Sequence, residues 1–302
     1  MNLEKVVIVA SKSRYELELL RYENEEKARR EYVSSVWENI KEGHLAQKQN
    51  LSKLEPYFYT EQVIDRSGLT PTTMNNHDAF VFLGGDNHFT YCSQVLLQYL
   101  QKNPQKEKVI LGTVLDPKRS WGGQLYFTVD EFIHFLPDLE ENDFKIENWT
   151  ALETTVKKGE KKMLLYPAIN EIFAGETKRW MMSRNNVYLD GKEIFPDKSS
   201  GILIATGSGS GPGSWYDNVH ALTFDQSDTF PRTADYARVI LTEHKSRSKI
   251  TLEKGQVLTI YSSNDDAGII LPDSHQQHAV SFPMGTSAEI RISSVHLPIV
   301  GK

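Results

Sequence analysis

The run Val81-Phe-Leu-Gly-Gly-Asp-Asn-His88 sends an apolar strand straight into two glycines and an aspartate. Gly84 and Gly85 lack the Cβ atoms that would obstruct a close approach of backbone to phosphate. Asp86 stands at the carboxyl end of the strand, where open α/β sheets place their ligands. A carboxylate there can reach a hydroxyl or a metal. A Gly-Gly-Asp triplet alone also fits an ordinary strand-to-turn junction, so its neighbours decide.

Two other segments carry polar chemistry. In Pro167-Ala-Ile-Asn-Glu-Ile-Phe-Ala-Gly175 the pair Asn170-Glu171 interrupts an apolar run. Buried amides and carboxylates need hydrogen-bond partners. The pair is therefore either a solvent-facing strand end or a holder of sugar hydroxyls and base edges, since an amide donates and accepts while a carboxylate accepts. Thr206-Gly-Ser-Gly-Ser-Gly-Pro-Gly-Ser-Trp215 follows the apolar strand Gly201-Ile-Leu-Ile-Ala205. Alternating glycines and hydroxyls after a strand can present successive donors to phosphate or ribose. A flexible linker is the plainer reading, and Trp215-Tyr216 could stack on a base. Lys12 and Arg14 follow the first strand, but isolated loop cations are usually just solvated. His275 and His278 have no evident third ligand, so no metal site is expected. No serine stands in a Gly-x-Ser-x-Gly elbow with a believable triad.

The elements that must position these residues differ between the two parts of the chain. Val6–Ala10, Val63-Ile64, His77–Leu83 and Lys108–Gly112 read as strands, with helices over about Tyr15–Leu45 and Phe89–Leu100. That alternation is a parallel α/β pattern. Beyond Asp116-Pro117 and Gly122-Gly123 the texture becomes β-rich. Strands are expected at Leu152–Val156, Lys162–Tyr166, Asn186–Leu189, Gly201–Ala205, Val257–Ser262, Gly268–Leu271 and Ala288–Ser293, with a short helix at Asp130–Leu136. The expected division is 1–120 and 121–302, with a return of the last residues to the first domain left open.

Composition narrows the function classes. The 302 residues are 39% hydrophobic and 25% charged, ordinary for a soluble protein. A net charge of −6 argues against nucleic acid or an anionic membrane as partner. It leaves room for a small anionic nucleotide at a local positive site. The single cysteine, Cys92, rules out an intrachain disulfide, lies in an apolar stretch and is expected to be buried. No window approaches the length of a membrane span and no targeting signal is evident, so the expectation is a cytoplasmic protein.

Taken in order, these pieces resemble the NAD kinases, a branch of the diacylglycerol kinase and 6-phosphofructokinase superfamily, and most of all the mitochondrial-type enzymes and their bacterial relatives. Val9-Ala-Ser-Lys-Ser-Arg-Tyr-Glu16 is similar to the first strand and helix of that group. Gly84-Gly-Asp86 is similar to the start of the family's GGDGT motif. Leu111-Gly-Thr-Val-Leu-Asp-Pro-Lys-Arg-Ser120 with Gly122-Gly-Gln-Leu125 resembles its G-x-N-T-D-P-x-x-S segment. Ala168-Ile-Asn-Glu-Ile-Phe-Ala-Gly-Glu176 resembles A-L-N-E-x-x-x-G-E, and Ser199 through Ser210 the S-S-G strand with its T-G-T-G-S loop.

The resemblance implies a Rossmann-like parallel α/β domain followed by a β-sandwich domain, with the active site between them. It implies transfer of the γ-phosphoryl group of ATP, with magnesium, to the 2′-hydroxyl of the NAD adenosine ribose, giving NADP. Asp86 would be the general base. Gly84, Gly85 and Asn87 would accommodate nucleotide phosphates. Asn170 and Glu171 would hold the NAD ribose or adenine, and Thr206, Gly207, Ser208 and Ser210 would line the dinucleotide pocket. A homodimer with small nucleotides as partners is expected. The chain departs from the family pattern at Asn87-His88, which replace Gly-Thr, and at the glycine-proline expansion before Trp215. Two alternatives follow: a weak or inactive dinucleotide-binding homologue, and a superfamily kinase acting on another hydroxyl.

Overall fold

In a computed structural model the described residues are 1–120, 123–178, 181–195, 198–244, 248–265 and 267–301. Gly122 of the expected Gly122-Gly123 turn lies outside them. The chain clusters into two compact units that are discontinuous in sequence. The first comprises Met1–Cys92, Lys106–Ile146 and Pro298–Lys302, the second Ser93–Gln105 and Glu147–Leu297.

The first unit opens with β1 (Val6–Ala10), followed by α1 (Arg14–Tyr22), α2 (Glu25–Arg30) and α3 (Ser34–Ser52). It continues through β2 (Val63–Ile64), α4 (Pro71–Asn76), β3 (Ala79–Gly84), α5 (Asp86–Lys102), β4 (Val109–Val114), β5 (Phe127–Thr128) and α6 (Val129–Glu141), and the chain then enters β6 (Ile146–Trp149). The boundary between units falls within α5. β1, β3 and β4 lie parallel in register, with Val6 opposite Ala79 and Ala79 opposite Val109. Their unbroken apolar runs follow from burial on both faces. Val6, Ile8, Val81, Leu83 and Leu111 pack with Phe132 and Leu136 of α6 on one side, while Val7, Val9, Phe80 and Phe82 are buried on the other. The long helix expected at Tyr15–Leu45 is three helices. α1 stops at Glu23, which takes a left-handed φ of 70°, and the Asn24 side chain then caps α2. No glycine marks that break, so composition hides it.

The second unit is antiparallel. Its elements are β7 (Leu152–Lys158), β8 (Lys161–Leu164), β9 (Glu171–Glu176), β10 (Ser183–Leu189), β11 (Lys192–Phe195), β12 (Lys198–Ser199), β13 (Gly201–Ala205), α7 (Trp215–Phe224), β14 (Tyr236–Thr242), β15 (Lys249–Glu253), β16 (Leu258–Ser262), β17 (Gly268–Pro272), β18 (Val280–Ser281) and β19 (Thr286–Ile292). One sheet runs β15-β14-β13-β9-β17-β18, the other β11-β10-β16-β19-β7-β8 with β12 beside β10. Ile202 and Ile204 of β13 point to the core shared with Val187, Leu258, Ile260 and Ile290 of the facing sheet. Leu203 and Ala205 point the other way, onto Tyr216 of α7 and Phe230. Strand β13 is thus buried on both faces, which is why it reads as five apolar or glycine residues in a row.

The chain ends on β20 (Leu297–Val300), whose Ile299 pairs in parallel with Ile110. The first sheet therefore runs β2-β1-β3-β4-β20-β6 with β5 also against β4. The end of the chain does return to the first unit, as a strand rather than a helix. Ile299 is fully buried. Ile299→Ala should destabilise by about 2–5 kcal/mol, read as a lower midpoint in urea without loss of cooperativity. An unchanged midpoint would show that β20 contributes little.

Candidate active site

In the parallel sheet, strand ends gather functional groups at one edge. Ser11 and Lys12 follow β1, Asp65 and Arg66 follow β2, Gly84-Gly85-Asp86 follow β3 and Leu115–Ser120 follow β4. Gly85 closes the turn by accepting hydrogen bonds from His88 N and Phe89 N at 2.9 and 3.0 Å. The helical turn after Gly-Gly-Asp thus forms despite Asn87 and His88. A Cβ on Gly84 would sit 2.9 Å from both His88 Cβ and Ser11 Oγ, and one on Gly85 2.8 Å from Ser120 Oγ. The two glycines let the neighbouring loops close in on the turn.

Asp86 is the first residue of α5, where a carboxylate suits the helix dipole. Its Oδ2 accepts from Gly123 N and its Oδ1 from Gln124 N, both at 3.0 Å. Among the described residues each oxygen accepts this one bond, which leaves it a further lone pair for a ligand. Asp116, in the Leu111–Ser120 segment, accepts from Lys118 N at 3.2 Å and from Arg119 Nη1 at 3.1 Å. Arg119 also reaches Asn39 and Glu42 of α3. Lys12 is paired with Asp65, and Arg14 with Glu18 at 2.6 Å.

His88, at 2% exposure, turns inward. Its Nε2 lies 2.7 Å from the Val9 carbonyl, and its Nδ1 lies 2.9 Å from Arg66 Nε. The guanidinium can only donate, so Nδ1 accepts and the proton sits on Nε2. Burial and the Arg66 charge lower the His88 pKa to about 4. Cys92 is buried one turn on, its thiol pushed up to about 12 by burial.

In the second unit, polar residues gather around the turn Ile169–Glu171. The backbone N–H groups of Ile169, Asn170 and Glu171 all donate to the Asp273 carboxylate, at 2.7–3.1 Å. Gln94 Nε2 donates to Asp273 Oδ2 at 2.9 Å, and Gln94 Oε1 accepts from His278 Nδ1 at 2.6 Å. The His278 ring stacks on Tyr166 with centroids 3.9 Å apart. Asp273 and Ser274 both adopt left-handed backbone, φ 49° and 57°. Ser274 Oγ donates to Glu171 Oε1 at 3.0 Å. Burial, and then the neighbouring Asp273 charge, raise the Glu171 pKa. Burial also raises Asp273, but its three backbone donors and Gln94 act against that. All four groups that bond the Asp273 carboxylate donate to it, so it keeps the negative charge and Glu171 carries the proton.

The Thr206–Ser210 loop wraps the same turn. Thr206 N donates to Asn170 O at 2.8 Å, and the Thr206 hydroxyl donates to Ile169 O. Gly207 and Gly209 pass so close to Pro231 O and Asn170 O that a Cβ would lie 1.9 and 2.1 Å from them. Ser208 Oγ lies 3.0 Å from Asn170 Oδ1. Ser210 Oγ donates to Gly207 O at 2.9 Å and accepts from Phe230 N at 3.0 Å. The hydroxyls of Thr206 and Ser210 therefore hold backbone. Trp215 and Tyr216 begin α7. Tyr216 is buried with its hydroxyl on Asp228 at 2.6 Å. Trp215 packs on Phe173 at 4.9 Å and, with Glu176, lines a cavity of about 730 Å³ toward the far end of β9.

The structure thus brings Gly84, Gly85, Asp86 and Asn87 together in one unit, and Asn170, Glu171, Thr206, Gly207 and Ser208 in the other. Sequence reasoning missed Asp273, Gln94 and Arg66. The signal for Asp273 was present: Leu271-Pro-Asp-Ser274 sets an acid at a strand end, as Gly84-Gly-Asp86 does.

The architecture is that of the NAD kinases. It matches yeast NADH kinase complexed with NADH with a TM-score of 0.67 at 14% identity, covering 99% of this chain and 83% of that one. It matches an NAD kinase from Archaeoglobus fulgidus in complex with ATP with a TM-score of 0.61 at 14% identity, covering 97% and 92%. In sequence the chain is 27% identical over 202 residues to the NAD kinase of Photorhabdus laumondii, a match spanning 65% of this chain and 64% of that protein's length. No family model matches the chain. The fold and the sequence likeness together support the NAD kinase family. Among the described residues no helix is long and apolar enough to cross a membrane.

Three substitutions test the site's electrostatics. Asp273→Asn sets an amide N–H₂ against backbone donors and should cost about 1–3 kcal/mol or more. Glu171→Gln should do the opposite at neutral pH. The folded chain keeps a proton on Glu171 that the unfolded chain releases near 4.5. Wild-type stability then falls as pH rises from there toward the raised pKa, by up to about 1.4 kcal/mol per unit. Thermal melts from pH 5 upward should show Glu171→Gln gaining on wild type; parallel curves would refute the protonated glutamate. His88 has the mirror behaviour. Its folded pKa of about 4 lies below the ordinary 6.5. Its contribution is complete above pH 6.5 and is lost as pH falls toward 4, roughly 3 kcal/mol in all. His88→Gln should flatten that acid limb.

Proposed function

We propose that this chain is an NAD kinase, transferring the γ-phosphoryl group of ATP to the 2′-hydroxyl of the adenosine ribose of NAD. The observation that carries this reading is the placement of Asp86. It opens α5 at the carboxyl edge of a parallel sheet, held by two backbone N–H groups yet with lone pairs to spare. A carboxylate so fixed can take the proton of an attacking ribose hydroxyl. Phosphoryl transfer asks for positioning and charge neutralisation more than for covalent chemistry by the protein.

The remaining roles follow from what each group can donate or accept. Asn170 offers an amide to a ribose hydroxyl, and protonated Glu171 can donate as well as accept. Thr206 and Ser208 hold the turn that presents both, and Gly207 lets their loop pass close to Pro231. Ser210 acts one step further out, through Gly207 and Phe230. Magnesium fits as the counter-ion that accompanies the triphosphate. Among the described residues no group of three or more histidine, cysteine, aspartate or glutamate side chains is arranged to hold a metal, and magnesium characteristically binds through phosphates with one or two carboxylates. Asp86 is the nearest such carboxylate to the turn. Bound magnesium would neutralise charge on the transferring phosphoryl group.

The test is direct. Purified protein with ATP, magnesium and NAD should yield NADP, detected by mass, and Asp86→Asn should slow it about 10²–10⁴-fold while still binding NAD. No NADP with enzyme in excess would favour a binding-only homologue or another hydroxyl acceptor. A wild-type rate in Asp86→Asn would remove Asp86 as the base.

A further inference from the structure

Among the described residues no carboxylate pairs with the Arg66 guanidinium. Its Nε donates to His88 Nδ1 at 2.9 Å, its Nη2 donates to Asn87 Oδ1 at 3.3 Å, and the group lies 4.7 Å from the Tyr91 ring centroid. The adjacent Asp65 is taken by Lys12 and by Ser67 N at 2.8 Å, and Asp86 by Gly123 and Gln124. Burial works against the charge and lowers the Arg66 pKa, yet arginine stays protonated. A partly buried guanidinium with no carboxylate beside it is costly. Three side chains nevertheless fix it in place, and one of them, Asn87, is exposed. Two of the three, Asn87 and His88, are the residues that replace the Gly-Thr of the GGDGT motif.

We propose that Arg66 is a phosphate-binding residue for the phosphoryl donor, set in position by Asn87, His88 and Tyr91. Its ligand is the terminal part of a nucleoside triphosphate, which the planar fork of guanidinium donors suits. It stands two residues past β2, at the edge where β1 and β3 also end, beside the Gly84-Gly85 turn. His88 is a positioning residue. As a neutral imidazole with Nδ1 turned to Arg66, it anchors the Nε and leaves Nη1 for a ligand. The departure from the family motif and the presence of Arg66 form one arrangement, so the Asn-His pair is compatible with donor binding. The proposal deepens the NAD kinase reading, but its core, triphosphate binding at Arg66, does not need NAD to be the acceptor.

The experiment is calorimetric titration of the full chain with ATP plus magnesium, with inorganic tripolyphosphate, and separately with NAD. It compares wild type, Arg66→Ala, Arg66→Lys, His88→Thr and the double variant that joins Arg66→Ala to His88→Thr. Arg66→Ala should weaken ATP and tripolyphosphate about 10- to 100-fold, the effect expected of a lost charge-assisted contact, and leave NAD unchanged. Arg66→Lys should recover part of the loss. His88→Thr should weaken both phosphate ligands by a smaller factor, and adding it to Arg66→Ala should have no further effect. A merely structural Arg66 would weaken NAD along with ATP, and Arg66→Lys would not rescue; that pattern overturns the proposal. So does triphosphate binding within about twofold of wild type in Arg66→Ala, or a wild type that binds neither ATP nor tripolyphosphate. The acceptor question separates cleanly. ATP affinity lost in Arg66→Ala, with no NADP made by wild type, leaves the proposal standing and removes NAD as acceptor. NADP made by wild type, with the KM for ATP unchanged in Arg66→Ala, does the reverse.

Discussion

The clamp of Asp273 on the Ile169–Glu171 backbone is the interaction on which the second unit's polar centre depends. Three consecutive N–H groups converging on one carboxylate leave a buried turn no other low-energy path. Asn170 and Glu171 are aimed by that turn, and the Thr206–Ser210 loop is then folded over it by bonds to the Ile169 and Asn170 carbonyls. The clamp also sets protonation. Two carboxyl groups side by side cannot both stay charged when buried. The one surrounded by donors keeps its charge, and its neighbour becomes an acid able to donate.

In the first unit the corresponding constraint is the parallel register. With Val6, Ala79 and Val109 aligned, the strands finish along one edge, and every loop that follows starts there. The Gly84-Gly85 turn works because it lets Ser11, Ser120 and His88 approach. A histidine in place of a threonine would crowd a ligand if it faced outward. It is accommodated because a carbonyl at Val9 and a donor at Arg66 draw both ring nitrogens inward. The turn after Gly85 closes with Asn87 and His88 in it.

Much of this was legible in the residues. Val6–Ala10, Val63–Ile64 and Gly201–Ala205 form the strands their composition indicates, and two-sided burial leaves unbroken apolar runs in the first and last of these. Asp86 and Asn170-Glu171 stood out as polar breaks in such runs. What escaped depends on contacts distant in sequence. The break at Glu23 needs a left-handed residue that no glycine announces. Asp273 lies about a hundred residues from the turn it holds, and Arg66 is marked only by the residues that hold it. Helix α7 was hidden because Trp215-Tyr216 follows a glycine-rich stretch that looks like a linker. The division of the chain was hidden too, since a single cut near 120 cannot describe a unit whose last strand comes from the far end.

That last strand has a consequence for how the protein is made. β20 lies inside the first sheet, between β4 and β6, with Leu297, Ile299 and Val300 fully buried. On the ribosome, the strands bearing the Gly84-Gly85 turn emerge first, and β5 then covers Thr113 and Val114 of β4, yet the edge around Ile110 stays open until residue 300 has cleared the exit tunnel. The whole sandwich is synthesised during that wait. The unit begun first is completed last, and its β4 edge is the surface a nascent-chain chaperone would have to cover in the interval.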